Sequence, residues 1–142
     1  MWVLITHNME VLLFKEGYMR TSSYAYDLSE SKVDDVNIHL TNNAIQKDND
    51  AYGRYEQGNQ LGFRHLRQLV KEKGYDFQIV YEQIIRIVRI TALSVRRKIN
   101  REFRKNCFEV FGFDFMLDRE CKPWLIEVNT NPSLAESSPV LQ

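Results

Sequence analysis

In the segment Phe108 to Asn129, FEVFGFDFMLDRECKPWLIEVN, three oxygen-bearing side chains fall at spacings that could gather a metal ion. The segment reads as two strands around a polar turn at Arg119 to Lys122. Side chains alternate across a strand. Asp114 therefore shares a face with Val110, Gly112 and Met116, and Glu127 shares one with Leu125 and Asn129, faces that should be buried. Folding the hairpin brings Asp114 opposite or diagonal to Glu127. Like charges facing each other weaken a sheet, and burying an unpaired carboxylate is costly. A cation is expected between them. Carboxylate and amide oxygens suit Mg²⁺, which takes a few protein oxygens and completes its shell with phosphate and water. The pattern predicts a metal–nucleotide site on Asp114, Glu127 and Asn129. Gly112, on the same face as Asp114, leaves room for backbone to approach a ligand.

The rest of the chain must position that hairpin. Trp2 to Thr6 and Glu10 to Lys15 form an expected hairpin around His7-Asn8, ended by Gly17, and Tyr18 to Thr21 reads as a further extended piece. Ser22 to Val36 is a polar surface loop. Asn37 to Asn42 reads as a strand end leading into a site-lining loop, and Gln46 to Gln60, without periodicity, as a mobile loop or lid. A helix is expected from Gln60 to Lys73, stopped by Gly74. Asp76 caps a second one, where Val88, Ala92, Val95, Ile99 and Phe103 recur at intervals of three and four, so the helix is expected to run from about Phe77 to about Phe103, either unbroken or with a break. Its opposite side carries Arg86, Arg89, Arg97, Arg101 and Arg104. Hairpins separated by a helical pair predict an α+β fold with helices on one side of an antiparallel sheet.

At 142 residues the chain is one domain at most. Its 19 basic and 19 acidic residues cancel, so net charge argues for no polyanionic partner. Two cysteines make no disulfide framework and fit a reducing compartment. No apolar run reaches the roughly 18 residues that span a bilayer, and no signal segment opens the chain, so no membrane association is expected. An apolar strand begins directly after Met1, which reads as the C-terminal part of something larger.

FGFDFMLD and KPWLIEVNTNPSL, together with HLTNNAIQK, resemble the tubulin tyrosine ligase and tubulin tyrosine ligase-like family, whose fold is ATP-grasp. The resemblance covers nearly the whole chain. It implies an ATP-grasp-like α+β fold, ATP and Mg²⁺ as cofactors, and Asp114, Glu127 and Asn129 as the magnesium ligands. It implies that His39, Thr41 and Asn42 line the nucleotide and that Ile126 packs on adenine. On a regular strand Ile126 points away from Glu127, so a kink is expected there. Arg20 matches an arginine near the terminal phosphate and the activated carboxylate, where a guanidinium can grip either anion.

Without the resemblance, Arg20 would be a strand arginine reaching solvent, His39 a satisfied structural residue, and the arginine stripe a solvated helix side. With it, the stripe would steer acidic tubulin tails by long-range attraction. The absence of interleaved aromatics argues against nucleic acid. The implied activity is ATP-dependent ligation of a free amino acid to a tubulin C-terminal tail through an acyl phosphate, by tyrosination, glutamylation or glycylation. The TNPSL continuation favours the ligase-like branch. The implied location is the cytoplasm, at the cytoskeleton, in a cilium or at a basal body. The family's nucleotide-gripping lysines and K-F-D-x-R strand precede the WVLIT strand and are absent from these residues. The chain is therefore expected to be the C-terminal portion of the domain, without its N-terminal lobe and with weak or absent activity. The alternatives are an inactive tubulin-binding module and an ATP-grasp ligase with another substrate.

Overall fold

The structure is a computed structural model, and it describes residues 1–134. These form two compact units, Met1–Gly17 with Arg67–Leu134, and Tyr18–Leu66.

The first unit is built on a four-stranded antiparallel sheet. β1 (Trp2–Thr6), β2 (Val11–Leu13), β5 (Phe108–Leu117) and β6 (Pro123–Thr130) lie in the order β2-β1-β5-β6. Both expected hairpins are present. The cross-strand register divides the sheet into two faces. Val3 opposes Phe111 and Ile5 opposes Glu109, and this face also carries Phe113. Val3, Ile5 and Phe113 are buried. Against the sheet packs α4 (Phe77–Val95), which meets both edge strands, β2 and β6, and buries Val80, Ile84, Val88 and Ala92 along one stripe. Asp76 caps α4 by accepting from the Gln78 N–H at 2.8 Å, satisfying one of the donors a helix start leaves open. α3 (Phe63–Glu72) precedes it and ends at Gly74, whose φ of +82° suits glycine. The architecture is α+β, an antiparallel sheet with helix packed on it.

α4 stops at Val95, eight residues short of the expected Phe103. Beyond it, Arg97, Arg101 and Lys105 would stack at i,i+4 on a continued helix, and like charges at that spacing oppose it. Asn100 supplies the alternative. Its Oδ1 accepts from the Arg104 N–H and its Nδ2 donates to the Arg104 carbonyl, both at 2.9 Å, closing a turn. Phe103 is consequently 85% exposed rather than part of the core stripe. The arginine stripe is broken as well. Only Arg86 and Arg89 lie on α4, while Arg97, Arg101 and Arg104 lie in the turns that follow.

The second unit pairs β3 (Tyr18–Arg20) with β4 (Gln60–Gly62) and adds two short helices, α1 (Val36–His39) and α2 (Asn43–Gln46). Asn37 to Asn42 is thus helical turn and connection rather than a strand end. Asp35 caps α1 and Asn42 caps α2, each accepting from the N–H two residues on at 3.0 Å. Such side chains draw the backbone out of extended pairing. The stretch from Gln46 to Gln60 folds into successive turns. Asn49 accepts from the Ala51 N–H, and buried Asn59 accepts from the Gly53 N–H while donating to the Ser23 hydroxyl. Side-chain amides replace the missing hydrophobic periodicity.

Candidate functional site

On β5 and β6 the Cα partners are Gly112 with Asn129, Phe113 with Val128, Asp114 with Glu127, and then Phe115 with Leu125. Ile126 is skipped. This bulge inserts one unpaired residue, bends the strand and resets its alternation. Across it Leu125 and Glu127 fall on opposite faces, because their partners Phe115 and Asp114 do. The expected sharing of a face by Glu127 and Leu125 is therefore corrected, while Glu127 and Asn129 do share one with Asp114 and Gly112. The irregularity falls at Ile126 itself.

The three oxygen-bearing side chains converge. Asn129 Nδ2 donates to Glu127 Oε1 at 3.0 Å and to Asp114 Oδ2 at 3.3 Å. An ionised carboxylate can only accept, so the amide turns its NH₂ into the space between the two acids. The face is not buried as the alternation pattern suggested. Glu127 and Asn129 are exposed, Asp114 is half-buried, and Met116, Trp124 and Ile126 near them on the hairpin are exposed too. α4 covers the other face, which leaves this one open.

Gly112 does not stand open to a ligand. It is buried, and a Cβ built there would lie 3.0 Å from Pro132 Cβ and 3.9 Å from Asn129 Cβ. The Asn131-Pro132 segment after β6 folds back across it, with Asn131 in the left-handed region at φ 52°. The missing side chain makes room for the proline ring beside the Asp114 pair.

The turn joining the two strands is organised by Asp118. Its Oδ1 accepts from the N–H of Glu120 and Lys122, and its Oδ2 from the Trp124 indole at 2.8 Å. The Trp124 hydrogen bond, with those backbone bonds, holds the Asp118 carboxyl below its usual value of 3.8.

His39, Thr41, Asn42 and Arg20 all lie in the second unit. His39 Nε2 donates to the Lys32 carbonyl at 3.0 Å, and its ring meets Tyr26 edge-on at 5.4 Å. In a neutral imidazole this fixes Nδ1 as an acceptor. Asn42 spends its Oδ1 on the α2 cap, which leaves its NH₂ to donate. Thr41 between them is half-buried. Arg20 is exposed, with its guanidinium 5.8 Å from the Tyr18 ring centroid and donating to the Tyr18 hydroxyl at 3.2 Å.

Sequence reasoning missed Gln46, which is fully buried. Its Nε2 donates to the carbonyls of Asn37 at 3.0 Å and Leu40 at 2.7 Å, and its Oε1 accepts from the Ser23 N–H and hydroxyl. One side chain ties both ends of the α1 turn and so sets the path of His39 to Asn42. The only signal was a glutamine closing HLTNNAIQK, and nothing local separates a buried glutamine from an exposed one.

A sequence model described as the tubulin-tyrosine ligase family matches residues 1–142. The chain belongs to that family. It is 37% identical over 147 residues to Tubulin glycylase 3D of Tetrahymena thermophila, covering 98% of this chain and 14% of that protein. It is 35% identical over 129 residues to the Probable alpha-tubulin polyglutamylase Ttll1 of the same organism, covering 89% and 30%. With Tubulin monoglutamylase TTLL4 of Homo sapiens the figures are 32% over 145 residues, covering 93% and 12%. The chain thus spans between about an eighth and a third of these family members. Among the described residues no helix is long and apolar enough to cross a membrane.

Among the described residues no three His, Cys, Asp or Glu side chains group together to hold a metal. The set here is two carboxylates and one amide. Turning the Asn129 amide about χ2 exchanges its NH₂ for Oδ1, giving three hard oxygen donors on an open face where water and phosphate can complete a shell. The residues present fit Mg²⁺.

Proposed function

We propose that this chain carries part of the catalytic site of an ATP-dependent ligase that adds amino acids to the C-terminal tails of tubulin, acting at the cytoskeleton. The convergence of Asp114, Glu127 and Asn129 on one open sheet face is the observation that supports the reading. The glycylase and glutamylase names of its relatives favour glycylation or glutamylation over tyrosination.

In this reading a tail carboxylate attacks the terminal phosphorus of ATP, ADP leaves, and an acyl phosphate forms. The amine of a free amino acid then attacks the acyl carbon, loses a proton, and inorganic phosphate departs. Bound Mg²⁺ would offset the charge developing on the phosphates. Asp114, Glu127 and Asn129 would hold it, the carboxylates cancelling their mutual repulsion across the strand pair in doing so. Ile126, 59% exposed at the bulge, offers an aliphatic surface to adenine. Asn42 donates through its NH₂ to phosphate or ribose oxygen, with Thr41 beside it as a neutral donor or acceptor. His39 presents Nδ1 as an acceptor, which suits a ribose hydroxyl better than a phosphate oxygen. Arg20 would grip the terminal phosphate or the acyl phosphate with its guanidinium. On this proposal the chain is the C-terminal portion of an ATP-grasp-like domain.

The test is ATP-dependent incorporation of labelled glycine or glutamate into tubulin by a longer protein that carries this sequence together with an ATP-grasp N-terminal lobe. Asp114→Ala and Glu127→Ala should each abolish incorporation while leaving tubulin binding unchanged. Retained incorporation in both variants refutes the site, and incorporation into no tubulin chain refutes the substrate.

A further inference from the structure

Where α4 ends, the chain concentrates charge. Between Arg96 and Lys105 stand six cations, Arg96, Arg97, Lys98, Arg101, Arg104 and Lys105, against one carboxylate, Glu102. Only Arg104 is paired, to Glu102 at 2.6 Å. Among the described residues no carboxylate lies within ion-pair distance of the other five. In a chain of zero formal net charge, a net excess of five positive charges within ten residues is local, and the fold does not consume it.

The excess borders a cleft. A depression of about 390 Å³ lies within the first unit, where Lys98, Arg101 and Arg104 face His7 and Cys107 across the end of the sheet. Its walls are built rather than frayed. Asn100 clasps Arg104 through both backbone groups at 2.9 Å, and the His7 N–H donates to the Cys107 carbonyl at 2.9 Å. Asn100 Nδ2 also reaches the His7 carbonyl at 3.5 Å, joining the two walls. Ile5, Ile99 and Phe108 add apolar lining.

We propose that this cleft docks an acidic peptide, with Lys98 and Arg101 gripping its glutamate carboxylates and the apolar lining receiving their methylene stems. The inference rests on the proposed tubulin-tail substrate for the peptide's parent, and assigns the docking to the turn after α4 instead of the arginines along the helix. A peptide is favoured over a nucleic acid by the chemistry of the walls. Glu102 and Glu109 also line the cleft, so it offers Lys98 and Arg101 to a few separate carboxylates and not the run of neutralising contacts on which a phosphate backbone depends. Side-chain carboxylates on a flexible peptide can choose the two unpaired cations and avoid the acids.

The 142-residue chain is titrated into a fluorescein-labelled peptide of consecutive glutamates, and anisotropy is read. Wild type should bind at low salt and weaken as the screening length falls to about 8 Å near physiological ionic strength. Lys98→Glu/Arg101→Glu should bind at least about tenfold more weakly, since two attractions become two repulsions. The neutral pair Lys98→Gln/Arg101→Gln should fall between, and serves if the reversed pair fails to fold by circular dichroism. Arg86→Glu/Arg89→Glu, on α4 itself, should stay within about twofold of wild type after allowance for net charge. Absence of wild-type binding, an equal loss from the α4 pair, or tighter binding of a polyuridylate strand than of the peptide would each overturn the proposal. Failure of the ligase reading shows differently, as peptide binding that survives without any amino-acid incorporation.

Discussion

Replacing Asn129 by aspartate separates a cation site from a chance cluster of acids. In the wild-type hairpin the Asn129 NH₂ bridges Glu127 Oε1 at 3.0 Å and Asp114 Oδ2 at 3.3 Å. Asn129→Asp turns that bridge into a third carboxylate at the same place, with nearly the same volume. In water two unit charges 4 Å apart interact by about 1 kcal/mol, and exposed side chains relax away from one another. The two new repulsions, with the two lost hydrogen bonds, should cost about 1–2 kcal/mol in total on an exposed face. Divalent cation should reverse the sign. Three carboxylates hold Mg²⁺ more tightly than two and an amide, and a ligand at about ten times its Kd stabilises the state that binds it by about 1.4 kcal/mol. The assay is urea unfolding of wild type and variant in chelator, in MgCl₂, and in NaCl at matched ionic strength. The variant should unfold first in chelator and recover in MgCl₂ well beyond its recovery in NaCl, because monovalent salt only screens. A variant as stable as wild type in chelator, or equal recovery in both salts, would show that these oxygens do not converge on a cation.

Three further outcomes follow from single side chains. Gln46→Leu keeps the volume but removes the partner of the buried Ser23 N–H and of the part-buried Asn37 and Leu40 carbonyls. At about 1–3 kcal/mol for each unsatisfied group, urea unfolding should show a loss of about 3 kcal/mol or more unless the loop opens, in which case Ser23 amide exchange accelerates; a change under about 1 kcal/mol with normal exchange contradicts the assignment. Gly112→Val should cost about 1–3 kcal/mol by overpacking against Pro132, and nuclear magnetic resonance should show shifts spreading to Asn129, since both flank the added Cβ. Asp118 has a folded pKa held below 3.8, chiefly by the Trp124 indole, so its stabilisation is present at neutral pH and disappears as pH falls through the folded value. Hairpin amide protection and Trp124 emission should change below about pH 4 in wild type, and that change should vanish in Asp118→Asn.

The parts of the molecule that could be read from sequence are those where one local signal decides the outcome. Asp76 before an apolar stripe and Gly74 after one marked helix ends at their true places, because capping and left-handed backbone are properties of one or two residues. The pairing of Asp114 with Glu127 was likewise legible from a turn and two strands of known length. Where two local signals compete, the pattern misled. The apolar spacing through Ile99 and Phe103 favoured a longer helix, yet the cations at i,i+4 and the Asn100 clasp prevailed. Burial was the deeper failure. Alternation tells which side chains share a face, but which face α4 covers is a property of the assembled unit, and it covers the one without Asp114 and Glu127.

That outcome bears on what the site can do. Two carboxylates on an open face need no permanent counter-ion, since water solvates them and one amide satisfies both. A buried pair would have demanded its cation in order to fold. This pair can fold with the Asn129 amide in place and exchange that amide for a cation when one arrives, so the cation adds stability without being required for folding. The bulge at Ile126 completes the arrangement, because it breaks the alternation that would have put an aliphatic side chain and the Glu127 carboxylate strictly on opposite faces. Deleting Ile126 would restore a regular ladder with every other pair unchanged. On this reasoning the shortened hairpin should fold at least as well as wild type and keep its divalent cation response, but lose affinity for an adenine nucleotide relative to inorganic triphosphate. If nucleotide and triphosphate lose affinity together, the bulge only shapes the metal end, and the base is held elsewhere.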